Sequence, residues 1–454
     1  MDSGELYPTA LIACFNCAKP QGIDLIDPLF HFDSTLDNTS AGYFTHIMMR
    51  GLNSISIHLY LRADPFMPTT ETKSWDIFCR VIDNYGDIGV CWRLARQLAN
   101  EHHQQVRLWV DDLNSLIRIW PDVQNTGQQQ CAGVEIRHWA EPFPAKINVA
   151  QVIIEGFACD IPDPYLQEMA AQKCAGQPPV WINLEYLSAE KWVEDCHGMT
   201  SVHPATGLRK TFFFPGFTPK TGGLLRERDL LSNRDSIDKH LFLEQIEVQQ
   251  KSGSLLVSLF AYENPATASL LSAWINSPTP IHCLVPNGKI LTSINQVLGT
   301  ELETGQHWQQ GNLSIDAIPF LTQADYDLLL WTCDINFVRG EDSFIRAQWA
   351  GKPFVWHIYP QDEQAHMIKM DAFLSLFLAG KGAEFSDKLH RLWHNWNEFE
   401  NTGESWEKML EQLPEWQVAT GDWCQDLVQQ PDLACQLVAL GAGYAPQKTT
   451  TEKP

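Results

Sequence analysis

From Trp75 onward, short apolar runs alternate with stretches whose apolar residues recur every three or four positions. The run Ile77-Phe78-Cys79-Arg80-Val81-Ile82 predicts a strand, and Asp83-Asn84-Tyr85-Gly86-Asp87 a turn. Val90, Leu94 and Leu98, with Cys91 and Ala95 beside them, then mark one face of a helix. Val106 to Val110 is the next strand and Asn114 to Trp120 the next helix; Val152-Ile153-Ile154 and Val180-Trp181-Ile182-Asn183 continue the series. After a loop-rich stretch from His203 to Gly223, a second alternation begins at Leu255-Leu256-Val257-Ser258-Leu259-Phe260. It runs through strands at 281–285, 313–315 and 334–338 to Pro353-Phe354-Val355-Trp356. Strands that alternate with helices imply parallel strands covered on both faces, so each half reads as a doubly wound α/β sheet.

The pattern divides the chain. Residues 1–73 carry isolated apolar runs without alternation and are expected to be a poorly ordered extension, with Met67 placed as a natural start codon. Residues 74–250 and 251–430 are two Rossmann-like domains joined near residues 244–254. A helix over 431–446 is expected to return to the first domain, followed by a tail at 447–454. The region from Ala379 to Leu440 reads helical and rich in Trp. A length of 454 residues suits two cores rather than one.

Composition narrows the function. A net charge of −23 argues against a nucleic-acid binder, because phosphate contacts need clustered Lys and Arg. No apolar run reaches the roughly 18 residues a membrane span needs. The start, Met1-Asp2-Ser3-Gly4-Glu5, lacks a basic, then apolar, leader, which makes the cytoplasm the expected location. The twelve cysteines show no framework spacing; Cys14 and Cys17 have C-x-x-C spacing, but no second pair completes a metal set.

Three groups of residues could carry chemistry. Asn336 to Pro353 reads strand, tight turn, short helix, Gly stop, strand, with Asp342 or Ser343 suited to the N-cap and Gly351 to the C-terminal turn. A helix starting at the carboxyl end of a parallel strand points free N–H groups at a ligand crevice, an anion site to which Arg339 adds charge. An ordinary capped helix gives the same pattern. In the other half, Asp83 and Asp87 flank a turn eased by Gly86 and Gly89. Two carboxylates in one crevice can bind a cation and take its proton, or else serve as turn former and N-cap. Phe260, Tyr262, Phe320, Gln323 and Tyr326 could stack on and read a nucleobase, or simply be core. Asp325-Tyr326-Asp327 spells D-x-D, a metal-site pattern, but begins a helical pattern, so it reads as helix-end decoration. No G-x-G-x-x-G follows the first strand, which weakens a nicotinamide-dehydrogenase reading.

Together these segments resemble the bacterial elongation factor P arginine rhamnosyltransferase family, EarP. The likeness rests on Val81 to Leu98, on Phe213-Phe214-Pro215-Gly216-Phe217 with Gly222-Gly223-Leu224-Leu225, and on Arg339-Gly340-Glu341-Asp342-Ser343; it covers about Trp75 to Leu440. It implies a GT-B architecture, two Rossmann-like domains facing across a cleft. It also implies transfer of rhamnose from TDP-β-L-rhamnose to an arginine of elongation factor P, with inversion and with no metal or other cofactor. By the resemblance Asp87 is the general base, Asp83 its companion on the acceptor arginine, and Glu341 a glutamate needed for activity. Arg339, Asp342 and Ser343 fall where the family grips the donor's diphosphate or sugar. Phe260, Tyr262, Phe320, Gln323 and Tyr359 match positions around thymine and ribose, and Tyr326 stands where phenylalanine is expected. The alternatives are a GT-B enzyme with another donor or a small-molecule or glycan acceptor, and a non-catalytic binding protein.

Overall fold

The structure is a computed structural model that describes residues 31–39, 42–50, 56–62, 71–82, 85–144, 146–361 and 364–444. It divides into two units, Met1–Met67 and Pro68–Pro454. The first holds an antiparallel meander of β1 (His31–Thr39), β2 (Gly42–Arg50) and β3 (Ser56–Arg62). Of the rest of the expected extension, only residues 71–73, which lead into the second unit, are among the described residues.

The second unit opens with β4 (Ser74–Cys79), α1 (Gly86–Asn100), β5 (Gln105–Val110), α2 (Leu113–Ile119), β6 (Gln128–Cys131) and β7 (Val134–His138). It continues with β8 (Val152–Gly156), α3 (Asp163–Cys174), β9 (Val180–Leu184), α4 (Trp192–Cys196), β10 (Thr200–Val202) and β11 (Arg209–Phe213). These strands form one eight-stranded sheet in the order β10-β11-β9-β8-β4-β5-β7-β6, parallel except for the two edge hairpins. Successive side chains on a strand face opposite ways. Ile77 therefore enters the main core, while Phe78 joins Trp109, Ile153 and Trp181 in a second cluster on the other face.

After α5 (Leu230–Asp235) and α6 (Lys239–Gln245) come β12 (Leu255–Leu259), α7 (Thr267–Ile275), β13 (Ile281–Pro286), α8 (Lys289–Leu298), β14 (His307–Gln310) and β15 (Leu313–Ile318). Then follow α9 (Gln323–Thr332), β16 (Ile335–Arg339), α10 (Asp342–Ala350) and β17 (Phe354–His357). The second sheet runs β14-β15-β13-β12-β16-β17, with only β14 antiparallel. The chain closes with α11 (Ala365–Phe377), α12 (Ala383–Asn397), α13 (Thr402–Leu410), α14 (Leu413–Val428) and α15 (Leu433–Gly441). Helix α15 lies back on the first sheet: a Cβ on Gly441 would stand 2.8 Å from the Trp75 ring, and Lys73 Nζ donates to the Gly441 carbonyl at 2.8 Å.

Two elements depart from the sequence pattern. The first strand was expected over 77–82, yet β4 stops at Cys79 and Ile82 is exposed. Side-chain carboxylates replace the ladder there: Val81 N donates to Asp111 Oδ1 at 2.9 Å and Ile82 N to Asp87 Oδ2 at 2.7 Å. Asp327, expected as helix-end decoration, is instead buried and takes both arginines of an ion network. Arg93 reaches it at 3.0 Å through each terminal nitrogen, and Arg346 at 2.9 and 2.7 Å. Arg93 sits on α1 of the first lobe and also donates to Asp342 Oδ1 at 2.9 Å, while Glu227 accepts from Arg346 at 2.6 Å. The network thus ties the two lobes together. Removing one charge leaves the others buried and uncompensated, at a cost of about 3–5 kcal/mol. Asp327→Asn is expected to lower stability by that amount in urea denaturation, and a midpoint unchanged from the parent would show that the clamp contributes little.

Candidate active site

The carboxyl end of β16 and the start of α10 make one wall of a cleft, as open α/β sheets do. Gly340 sits at φ 60°, a left-handed turn that favours glycine, and Trp356 Nε1 donates to its carbonyl at 2.8 Å. Glu341, not the expected Asp342 or Ser343, occupies the N-cap position, and no side chain caps the helix. The first N–H groups of α10 therefore face the cleft without a side-chain acceptor. Ser343 instead bonds the backbone of Arg339, accepting from its N–H at 3.1 Å and donating to its carbonyl. Gly351 ends the helix in the left-handed conformation that its place in the sequence predicts.

A half-open cavity of about 70 Å³ lies against this wall. Of the residues singled out in the sequence, Phe260, Tyr262, Phe320, Gln323, Tyr326, Arg339, Glu341, Asp342 and Ser343 line it, and Tyr85 and Gly86 close it from the first lobe. The Arg339 guanidinium lies 4.6 Å from the Phe260 ring centroid and 4.7 Å from that of Tyr262, which fixes its direction. Behind Tyr262, burial and then the Arg339 charge push the His357 imidazole down to about 3, so it is neutral. Arg339 Nε, Gln323 Oε1 and Glu341 Oε1 are buried without a hydrogen-bond partner among the described residues. All three are thereby available to a ligand in the cavity. Tyr359 does not line the cavity; it is exposed and meets Tyr262 edge-on at 5.5 Å. Gln323 donates to the Gly89 carbonyl at 3.0 Å and to Asp342 Oδ2 at 3.2 Å, bridging the lobes.

On the first-lobe side, Asp87 directly follows the cavity-lining Tyr85 and Gly86 but does not itself line the cavity. Asp87, in the first turn of α1, is buried and accepts from Ile82 N and, through Oδ1, from the Tyr186 hydroxyl at 3.2 Å. Asp83, its expected companion, lies outside the described residues. The Tyr186 ring stacks on Phe157 at 4.5 Å. The next residue, Leu187, donates its N–H to Glu341 Oε2 at 3.0 Å. Two consecutive residues after β9 therefore hold a carboxylate from each lobe. The lobes touch here as well: a Cβ on Gly89 would come within 3.2 Å of the Asp342 side chain, so a larger residue needs that contact to yield.

Sequence reading did not find Tyr186, Lys369 or the ion network around Asp342. Arg93 did carry a signal, because it stands three residues after Val90, on the buried stripe of α1, where a lone arginine demands a buried partner. The partners come from segments 134 and 249 residues away, which no local pattern reveals.

Three comparisons bear on these features. The family model described as Elongation-Factor P (EF-P) rhamnosyltransferase EarP matches residues 75–441. The chain belongs to the EarP family. A protein-arginine rhamnosyltransferase of Pseudomonas putida is 48% identical over 372 residues, 80% of this chain and 97% of that protein. One from Neisseria meningitidis is 36% identical over 389 residues, 82% of this chain and 98% of its own length. A solved structure described as the structural basis for EarP-mediated arginine glycosylation of translation elongation factor EF-P superposes with a TM-score of 0.57. It is 35% identical, covering 81% of this chain and 98% of that one. The EarP resemblance seen in the sequence is thus established, and the architecture is GT-B, two Rossmann-like lobes facing across a cleft.

Glu341 gives the site a pH signature. Burial, set against the Lys369 charge and reinforced by Asp87 and Asp342, pushes its carboxyl up from 4.5 to about 7. The folded state therefore binds a proton that the unfolded chain releases. This contribution is complete below about pH 4.5 and is lost as the pH rises through 7. Glu341→Gln, which keeps the neutral shape, is expected to gain stability relative to the parent between pH 5 and pH 8. Equal differences in urea midpoint at the two values would mean that Glu341 does not titrate in this window.

Proposed function

We propose that the chain is an inverting, metal-independent glycosyltransferase of the cytoplasm that moves L-rhamnose from TDP-β-L-rhamnose to an arginine side chain of translation elongation factor P. One observation supports this reading within the family: Tyr85 and Gly86, which lead directly into the buried Asp87, line the same cavity as the strand-turn-helix at 339–343, and the charges of Asp87 and Glu341 interact. Among the described residues no helix is long and apolar enough to cross a membrane.

The chemistry follows from what an arginine is. A guanidinium stays protonated and is a poor nucleophile, so the acceptor has to be localised and relieved of a proton as its nitrogen attacks. Asp87, its carboxylate fixed by Ile82 N and the Tyr186 hydroxyl, takes that proton while the new C–N bond forms at the anomeric carbon. The bond from that carbon to the diphosphate oxygen breaks on the opposite face of the sugar, which inverts the centre. Negative charge gathers on the leaving diphosphate, where the amino end of α10 and Arg339 meet it. Thymine suits the aromatic pocket of Phe260, Phe320 and Tyr326, with the Gln323 amide oxygen open to its edge. Glu341 stands between the two halves of the reaction, placed to meet a sugar hydroxyl or the incoming guanidinium. A second cavity, which includes Glu185, Tyr186, Glu190, Trp192 and Lys369, adjoins the Asp87 side and suits the approach of a cationic protein segment.

Mass spectrometry of elongation factor P incubated with this protein and TDP-β-L-rhamnose is expected to show one deoxyhexose on arginine; unmodified factor P under saturating donor would overturn the assignment. Asp87→Asn should slow transfer by roughly 10²–10⁴-fold while calorimetric TDP affinity holds. A variant as fast as the parent removes Asp87 from the role of base. Ser343→Ala should weaken TDP binding, and an unchanged affinity would place the diphosphate elsewhere.

A further inference from the structure

We propose that Asp371, His390 and His394 bind one divalent ion of the zinc class, outside the catalytic cleft, and that this ion ties α11 to α12. His390 and His394 are four residues apart on α12, so their rings stand on one face, one turn apart, and stack at 4.2 Å. Their Nε2 atoms point at the same oxygen of Asp371 on α11, at 3.3 and 2.7 Å. Ligand atoms about 2.0–2.1 Å from a tetrahedral zinc stand roughly 3.3 Å from one another, so modest adjustment admits the ion with water as fourth ligand. All three side chains are partly exposed, which leaves the site reachable.

The carboxylate behind His394 adds a second geometric observation. His394 lies between two carboxylates, with Nε2 facing Asp371 Oδ1 and Nδ1 facing Glu398 Oε2 at 3.2 Å. With an ion on Nε2, Nδ1–H would donate to Glu398, the carboxylate-histidine-metal arrangement that orients a ligand ring. The other histidine–carboxylate group among the described residues, His282, His307 and Asp316, lacks that support, since His282 Nδ1 is buried without a partner. None of Asp371, His390 and His394 lines either cavity described above. Helix α11 also carries Lys369, whose charge acts on Glu341, so an ion here steadies a helix that reaches the cleft.

The test is calorimetry of the untagged, chelator-treated full chain with ZnCl2, alongside visible spectra with Co²⁺. One ion per chain is expected, with the absorption bands of a four-coordinate site and a rise in melting temperature with Zn²⁺. His394→Ala should abolish uptake, Glu398→Gln should weaken it roughly ten-fold, and His307→Gln should leave it intact; the melting temperatures of the metal-free variants check their fold. Absence of binding heat and of any melting shift in the parent would overturn the proposal and leave the three side chains as an ordinary surface ion-pair cluster. Loss of uptake in His307→Gln with retention in His394→Ala would overturn it too, by moving the ion to the sheet.

Discussion

The buried ion network of Arg93, Asp327, Arg346, Glu227 and Asp342 is the constraint on which the arrangement of the site depends. Two guanidinium groups and three carboxylates meet there; Arg93, Arg346 and Asp327 are buried, and each of these ions alone would cost several kcal/mol to desolvate. Their mutual contacts offset that cost only in one geometry. Glu227 is held down to about 2, the Arg346 and Arg93 charges outweighing its burial. Because Arg93 belongs to the first lobe and Asp327, Asp342 and Arg346 to the second, the geometry that satisfies the charges also sets how the lobes face each other.

Asp342 links this clamp to the cleft. A carboxylate at the first position of a helix is favourable to the helix but repels an anion bound at the same end. Here Arg93 Nε and Gln323 Nε2 both donate to it, so its charge is turned toward the clamp and offset. The amino end of α10 keeps its positive character on the cavity side, where Arg339 reinforces it. Across the cleft, Tyr186 and Leu187 divide the acid groups, one holding Asp87 and the other Glu341. Burial raises Glu341 toward neutrality, so two acid groups at close quarters need not both be charged at once.

Much of this was legible in the chain. The two alternations of strand and helix were set by period and apolar content, and they recur as the two parallel sheets. The turn at Gly340 and the stop at Gly351 were readable because only backbone conformations that favour glycine explain them there. The cavity-lining aromatics and Arg339 follow from their places at the carboxyl ends of strands. What local pattern misplaced has a common cause. The end of β4 moved because Asp111 and Asp87 took backbone N–H groups, and the N-cap moved because Asp342 was needed elsewhere. Asp327 looked like surface decoration because its two arginine partners are remote in sequence or set by helix packing.

The sequence by itself determined the fold class, the family and the residue types on each wall of the cleft, because periodicity, turn chemistry and long motifs are local properties. Only the tertiary structure decided which charges neutralise which, which carboxyl is pushed up by burial, and that Tyr186 and Lys369 belong to the site. Those outcomes depend on distance and solvent exclusion between segments far apart in the chain, because electrostatic energy is set by the spacing of the charges and by the dielectric between them.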